Sequence, residues 1–118
     1  MDKIKVYIAG KIEGDTNYLD KFYTNAVFLE MGGLTVLNPA SLPVGMSKAD
    51  YMRINFAQID VADIVLFLAD WISSEGARLE HRYCVYTGKK RVYVSDTYEA
   101  TLNTDRVLER IKGEYHGN

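Results

Sequence analysis

One cysteine and two histidines are all the thiol and imidazole chemistry in this chain of 118 residues. Cys84 has no second thiol to pair with, which excludes an internal disulfide framework and fits a reducing compartment. His81 and His116 stand alone, with no zinc-type spacing to a further Cys or His, so no metal is expected. Charge of either sign is also in short supply as an excess: 14 Lys and Arg against 16 Asp and Glu leave a formal net charge of -2. That balance lacks the basic footprint of a duplex nucleic-acid binder, and no run of Lys or Arg marks a membrane surface. No stretch approaches the roughly eighteen apolar residues of a membrane span, and Met1 leads into a strand-like run instead of an apolar targeting segment. These absences predict a soluble cytoplasmic protein whose partner is a small molecule, with no cofactor.

What is present is core-forming material. Hydrophobic residues make up 47% of the chain, enough for one compact core and too little chain for two, so a single domain over residues 1–118 is expected. The run "KIKVYIAG" is β-branched, apolar on both faces and closed by Gly10, as a buried parallel strand reads. A helix follows from Tyr18 to Met31, with Leu19, Phe22, Ala26 and Leu29 at helical spacing and Gly32-Gly33 as its stop. "LTVLNP" reads as a second strand. Ser47 and Asp50 resemble the capping pair of a second helix that runs to about Ala62. "DIVLFLAD" is a third strand, "SSEGARLEHRYCVYTGKK" a third helix, and "RVYVS" a fourth strand. A last helix from about Asp105 to Lys112 buries Val107, Leu108 and Ile111, and "GEYHGN" reads as a loose tail. Strands alternating with helices of this length predict an α/β fold, a Rossmann-like (flavodoxin-like) three-layer sandwich with a parallel sheet of four or five strands. In such sheets ligands bind beyond the carboxyl ends of the strands. The segments "GKIEGDTNY", "ADWISS" and the first turns of the third helix therefore line any site.

Three residues are out of place for a simple core. On a helical wheel of about 100 degrees per residue, Glu80 shares an arc with Gly76, Ala77, Cys84 and Gly88, while Arg78 and Arg82 fall opposite. A carboxylate facing inward is costly unless it is hydrogen-bonded or held protonated for acid, base or nucleophile work. The competing reading turns Glu80 to water or to a neighbouring Arg. Asn55 interrupts the apolar stripe of Tyr51, Ile54, Ile59 and Ala62, either as a core amide or as part of a site. Tyr7, between Val6 and Ile8, carries a hydroxyl that needs a partner if it is buried. After the first strand, "GKIEGD" offers two glycines and Lys11 to an anion, but Glu13 opposes one, and the pattern is neither GxGxxG nor a Walker sequence.

Together "YIAGKIEG", "NFAQIDVADIVLFLADW" and "SSEGARLEHRY" resemble the nucleoside 2-deoxyribosyltransferase superfamily over nearly the whole chain. Its short members share the Tyr51-Met52-Arg53 segment and the Trp71 to Glu80 segment. The resemblance implies that Glu80 is the nucleophile attacking the anomeric carbon of a nucleoside or its 5'-monophosphate, and that Tyr7 hydrogen-bonds it. The acceptor, water or a second base, separates hydrolase from transferase. Gly10, Lys11, Ile12, Gly14, Asp70, Trp71, Ser74 and Gly76 are then expected to bind substrate. Relatives complete the site with a neighbouring chain, which implies a homo-oligomer. Asn55 stands where the superfamily carries an aspartate, and an amide cannot protonate a leaving base. Asp70 is a substitute candidate for that task, or else a cap of the following loop. Ser74, where monophosphate hydrolases carry serine, points to a phosphorylated ligand or is simply a helix N-cap. The rival to an enzyme is a nucleotide-binding module that keeps the pocket without the leaving-group acid.

Overall fold

Side chains along the first strand alternate between two cores, and this alternation sets the layers. The computed structural model describes residues 3–94 and 104–117, and the side chains of 3–94 and 106–117. Strand β1 (Lys5–Ala9) sends Val6 and Ile8 to one face of the sheet and Tyr7 and Ala9 to the other, and all four are 0% exposed. Helix α1 (Tyr18–Met31), β2 (Thr35–Leu37), α2 (Lys48–Val61), β3 (Ile64–Phe67), α3 (Glu75–Thr87), β4 (Lys90–Tyr93) and α4 (Thr104–Gly117) follow in order. Short 3-10 turns at Pro39–Ser41 and Trp71–Ser73 follow β2 and precede α3. The four strands pair in parallel in the order β2-β1-β3-β4, with Tyr7 opposite Leu37 on one side and Val65 on the other.

Phe22, Ala26 and Leu29 of α1 and Val107 and Ile111 of α4 cover the face that carries Val6, Ile8, Ile64 and Leu66. On the opposite face, Ile59 of α2 and Cys84 of α3 pack on Tyr7, Ala9, Val65 and Phe67. The expected three-layer α/β sandwich is therefore present, with four strands among the described residues. The switch in strand order falls at β1, which has β2 on one side and β3 on the other. That places a crevice over the carboxyl end of β1.

Local chemistry agrees with most of the sequence boundaries. Ser47 Oγ accepts from the Asp50 amide at 3.1 Å and starts α2. Gly88, at φ +76°, ends α3 in the left-handed conformation that favours glycine. Lys89 Nζ donates to the Ala62 carbonyl at 2.6 Å, placing a cation at the negative end of α2.

Three expectations need correction. Leu19 is 59% exposed, because in the first turn of α1 it is Tyr18 that packs against the core. The segment 113–117 is not a tail: α4 runs to Gly117, and one interior glycine costs a helix only about 1 kcal/mol, less than Val107 and Ile111 supply by burial. Strand β4 ends at Tyr93, and Ser95, its expected last residue, lies outside the described residues.

These burial differences predict unequal costs of truncation. Ile111→Ala should lower the unfolding free energy by about 2 to 5 kcal/mol, whereas Leu19→Ala should stay within about 0.5 kcal/mol. Urea midpoints of the two variants measure the difference, and equal midpoints would contradict this packing of α4.

Candidate active site

Helix α3 turns Ala77, Glu80 and Cys84 toward the sheet and leaves Arg78 and Arg82 in solvent, so no arginine reaches Glu80. Glu80 is 5% exposed and Asn55 8%, the two buried polar side chains of the described core. The Tyr7 hydroxyl donates to Glu80 Oε2 at 3.0 Å, and Asn55 Nδ2 donates to the same oxygen at 3.1 Å. Asn55 thus serves a carboxylate and not a backbone group. With both hydrogen bonds on Oε2, Oε1 has no protein donor among the described residues.

Contacts between α2 and α3 hold this meeting point in register. Phe56, beside Asn55, stacks on Tyr83 with ring centroids 4.3 Å apart and planes 7° from parallel. The Tyr83 hydroxyl donates to Asp60 Oδ1 at 2.6 Å. Because Glu80 and Tyr83 are three residues apart on one helix, fixing the second fixes the first.

Burial controls the electrostatics. Loss of water around Glu80 raises its pKa from 4.5 to about 7, although the hydrogen bonds from Tyr7 and Asn55 favour its charge. Burial, reinforced by the neighbouring Glu80, likewise raises the Tyr7 phenol well above its ordinary value. Burial pushes the Cys84 thiol up to about 11, which leaves it inert as a nucleophile. Asn55 Oδ1 is buried with no partner among the described residues, a cost of about 1 to 3 kcal/mol that functional sites commonly carry.

Tyr7, Asn55 and Glu80 lie in the wall of a cleft of about 990 Å³ at the carboxyl end of β1. Gly10, Lys11, Ile12, Gly14, Ser74 and Gly76 also line it, as the sequence places them. Asp70 and Trp71 do not. Asp70 Oδ1 accepts from the Lys11 amide at 3.1 Å, and its other oxygen pairs with Lys21 Nζ. Lys21 also binds Asp15 and donates to the Lys11 carbonyl at 2.8 Å, so a half-buried hub fixes the loop after β1. Burial opposes the charge of Lys21, but its hydrogen bonds to Asp15 and Asp70 outweigh it and raise the pKa. Gly10 leaves room at this junction: a Cβ there would stand 3.0 Å from Leu68 Cδ1 and 3.2 Å from Asp70 Oδ1, close enough that both side chains would have to shift. Trp71 instead stacks on His81, ring centroids 4.2 Å apart, and packs against Phe67.

Part of the anion cradle expected here is taken up within the chain. The Lys11 amide serves Asp70, and Ser74 Oγ accepts from the Ala77 amide at 3.1 Å as the N-cap of α3. Ser74 is therefore a cap that also lines the cleft. No cluster of three His, Cys, Asp or Glu suited to a metal occurs among the described residues.

Sequence reading gave no site role to the apolar part of the lining, which includes Tyr18, Pro39, Leu42, Met46 and Met52. Met52 had a signal, since it stands three residues before Asn55 on the same helical face. The loop that carries Leu42 and Met46 is tied down by Tyr51, whose hydroxyl donates to the Pro43 carbonyl at 2.5 Å and accepts from the Met46 amide at 3.3 Å. Nothing in the local sequence announces that bond.

A parallel α/β sandwich with a buried carboxylate at its switch point is thus the class of protein in hand. Residues 4–93 match the family described as a Domain of unknown function (DUF4406), and the chain belongs to that family. No curated protein matches it by sequence. Among solved structures it is similar to a "2-desoxiribosyltransferase from Leishmania mexicana", with a TM-score of 0.59 and 20% identity. The likeness covers 76% of this chain and 63% of that one, so this chain spans less than two thirds of that protein's length, and it demonstrates a shared fold. No helix among the described residues is long and apolar enough to cross a membrane.

The displaced pKa of Glu80 links stability to pH. Between about 4.5 and about 7 the folded protein keeps a proton that the unfolded chain has released. The stabilisation from protonated Glu80 is therefore complete below about 4.5 and is lost as pH rises through about 7. At about 1.36 kcal/mol per pKa unit, Glu80→Gln should be a few kcal/mol more stable than wild type at pH 8, with the gap closing toward pH 4.5. Denaturant titrations at the two pH values test this, and parallel stability curves would contradict a buried, protonatable Glu80.

Proposed function

We propose that the chain breaks or exchanges the N-glycosidic bond of a nucleoside, with Glu80 as nucleophile. The observation that carries this reading is the buried Glu80 carboxylate in the cleft wall, oriented through Oε2 by Tyr7 and Asn55. Cleavage of a C1'–N bond passes through an oxocarbenium-like state, which a carboxylate beside C1' stabilises or captures. Oε1, without a protein donor, forms the new bond to C1' as the C1'–N electrons pass to the base. Tyr7 and Asn55 position the carboxylate and take up charge on Oε2. Water or a second base then displaces the sugar and regenerates the free carboxylate. The resemblance of "SSEGARLEHRY" and "YIAG" to the deoxyribosyltransferase superfamily, and the shared fold with a structure bearing that description, support the reading.

The cleft suits a nucleoside better than its 5'-monophosphate. The Lys11 amide donates to Asp70 and Ser74 Oγ accepts from the Ala77 amide, while the carboxylates of Glu13 and Glu75 stand in the lining, where they repel a phosphate. Isothermal titration of the Glu80→Gln protein with matched pairs should show a nucleoside binding at least as tightly as its monophosphate. A monophosphate preference of tenfold or more, abolished by Ser74→Asp, would restore the phosphate reading; such a preference corresponds to about one charge-assisted hydrogen bond.

Release of free base from a panel of nucleosides, with and without a second base, tests the activity itself. Glu80→Gln should lower it by at least about two orders of magnitude. Tyr7→Phe should cost roughly tenfold to a hundredfold, the loss of one hydrogen bond to a charged group. The reaction needs ionised Glu80, so kcat/KM should fall as pH drops through about 7. Ligand binding with no turnover under any of these conditions would favour a non-catalytic nucleotide-binding module.

A further inference from the structure

We propose that this cleft acts on nucleosides whose glycosidic nitrogen is already cationic, such as a pyridinium or an N7-alkylpurinium, which depart without being protonated by the protein. The inference rests on the reading of Glu80 as nucleophile and names the class of leaving group.

A neutral purine or pyrimidine leaves as an anion unless something protonates it, and a positioned acid contributes about a hundredfold to ten-thousandfold. At the wall beside Glu80 stands Asn55, an amide with no acidic proton, whose Nδ2 is held by Glu80 Oε2. No Asp or His lines the cleft among the described residues. The Tyr7 and Tyr51 hydroxyls donate to Glu80 and to the Pro43 carbonyl, and Glu13 and Glu75 are exposed to solvent, Glu13 facing Lys48 at 3.8 Å. Asp70 lies outside the cleft in its pairing with Lys21. The charged residues of the lining are three carboxylates, Glu13, Glu75 and Glu80, against two lysines, Lys11 and Lys48. With Glu80 ionised the lining sums to -1, a field that attracts a cationic ring. Tyr18 and Tyr51 add aromatic rings to the lining, a residue type whose faces attract cations.

The step balances without a proton. Glu80 Oε1 bonds to C1', the C1'–N bond breaks, and its electron pair neutralises the positive ring nitrogen. Carboxylate and cation are consumed together, leaving a neutral glycosyl ester and a neutral base.

The test compares 7-methylguanosine and nicotinamide riboside with guanosine and uridine, as ribosides and 2'-deoxyribosides, each rate divided by that of the uncatalysed reaction. The wild-type protein should accelerate the cationic substrates at least about a hundredfold more than the neutral ones. Asn55→Asp places a proton-sharing carboxyl beside Glu80 and should raise acceleration on guanosine while lowering that on 7-methylguanosine, because Oε2 loses its amide donor. A merely structural amide would change both substrates together. Equal acceleration of both classes by the wild type, with Glu80→Gln inactive, overturns this inference and spares the nucleophile. Release of base from none of the substrates overturns both. If Asn55→Asp does not fold, the wild-type ratio alone decides.

Discussion

The burial of one carboxylate organises the carboxyl end of this sheet. An ionised Glu80 in an apolar layer is tolerated only with hydrogen bonds to its oxygen, and they come from two other elements, β1 through Tyr7 and α2 through Asn55. Three segments distant in sequence therefore meet at a single atom. The bonds do not fully offset lost hydration, which is why the group titrates near neutral pH and not in the usual carboxylate range. A buried carboxylate that is held by hydrogen bonds and still partly destabilised has the perturbed titration common at functional sites.

Around that atom, the rigid and adaptable parts of the molecule divide by chemistry. The aromatic stack of Phe56 on Tyr83 and the bond from Tyr83 to Asp60 lock α2 to α3. On the other side of β1, Lys21 gathers Asp15, Asp70 and the Lys11 carbonyl, so that the loop over the strand end is set by charge pairing. Glycine at position 10 lets Leu68 and Asp70 come close enough for this. The cleft lining includes Met46 and Met52, unbranched side chains of the kind that adapt their shape to what they contact.

Much of this is legible in the sequence because it follows from period and capping. The alternation of Val6, Tyr7, Ile8 and Ala9 distinguishes the two faces, and the helical wheel turns Glu80 and Asn55 inward, where they lie. Periodicity gives direction and no partner: that Asn55 and Tyr7 converge on one oxygen depends on packing between elements. The role of Asp70 was open for the same reason. At the carboxyl end of β3 it reads as a ligand group, and only the fold reveals Lys21, 49 residues away, as its counter-ion. Trp71 reads as pocket wall, but its 3-10 turn lays the ring on His81 instead. At the end of α4, glycine and polar residues suggest a tail, and only the burial of Ile111 one turn earlier explains the helix that runs to Gly117.

The central claim, that Glu80 attacks a sugar carbon, is tested most directly by capturing the glycosyl ester. A 2'-fluoro nucleoside with a good leaving group slows breakdown of such an ester more than it need slow its formation, because fluorine destabilises the oxocarbenium-like state and a good leaving group compensates the first step alone. Mass spectrometry of the protein after such treatment should show one added fluoropentosyl unit, mapped by peptide digestion to Glu80 and absent from Glu80→Gln. Base release without any adduct, or an adduct on Glu75 or Glu13 in place of Glu80, would contradict the account.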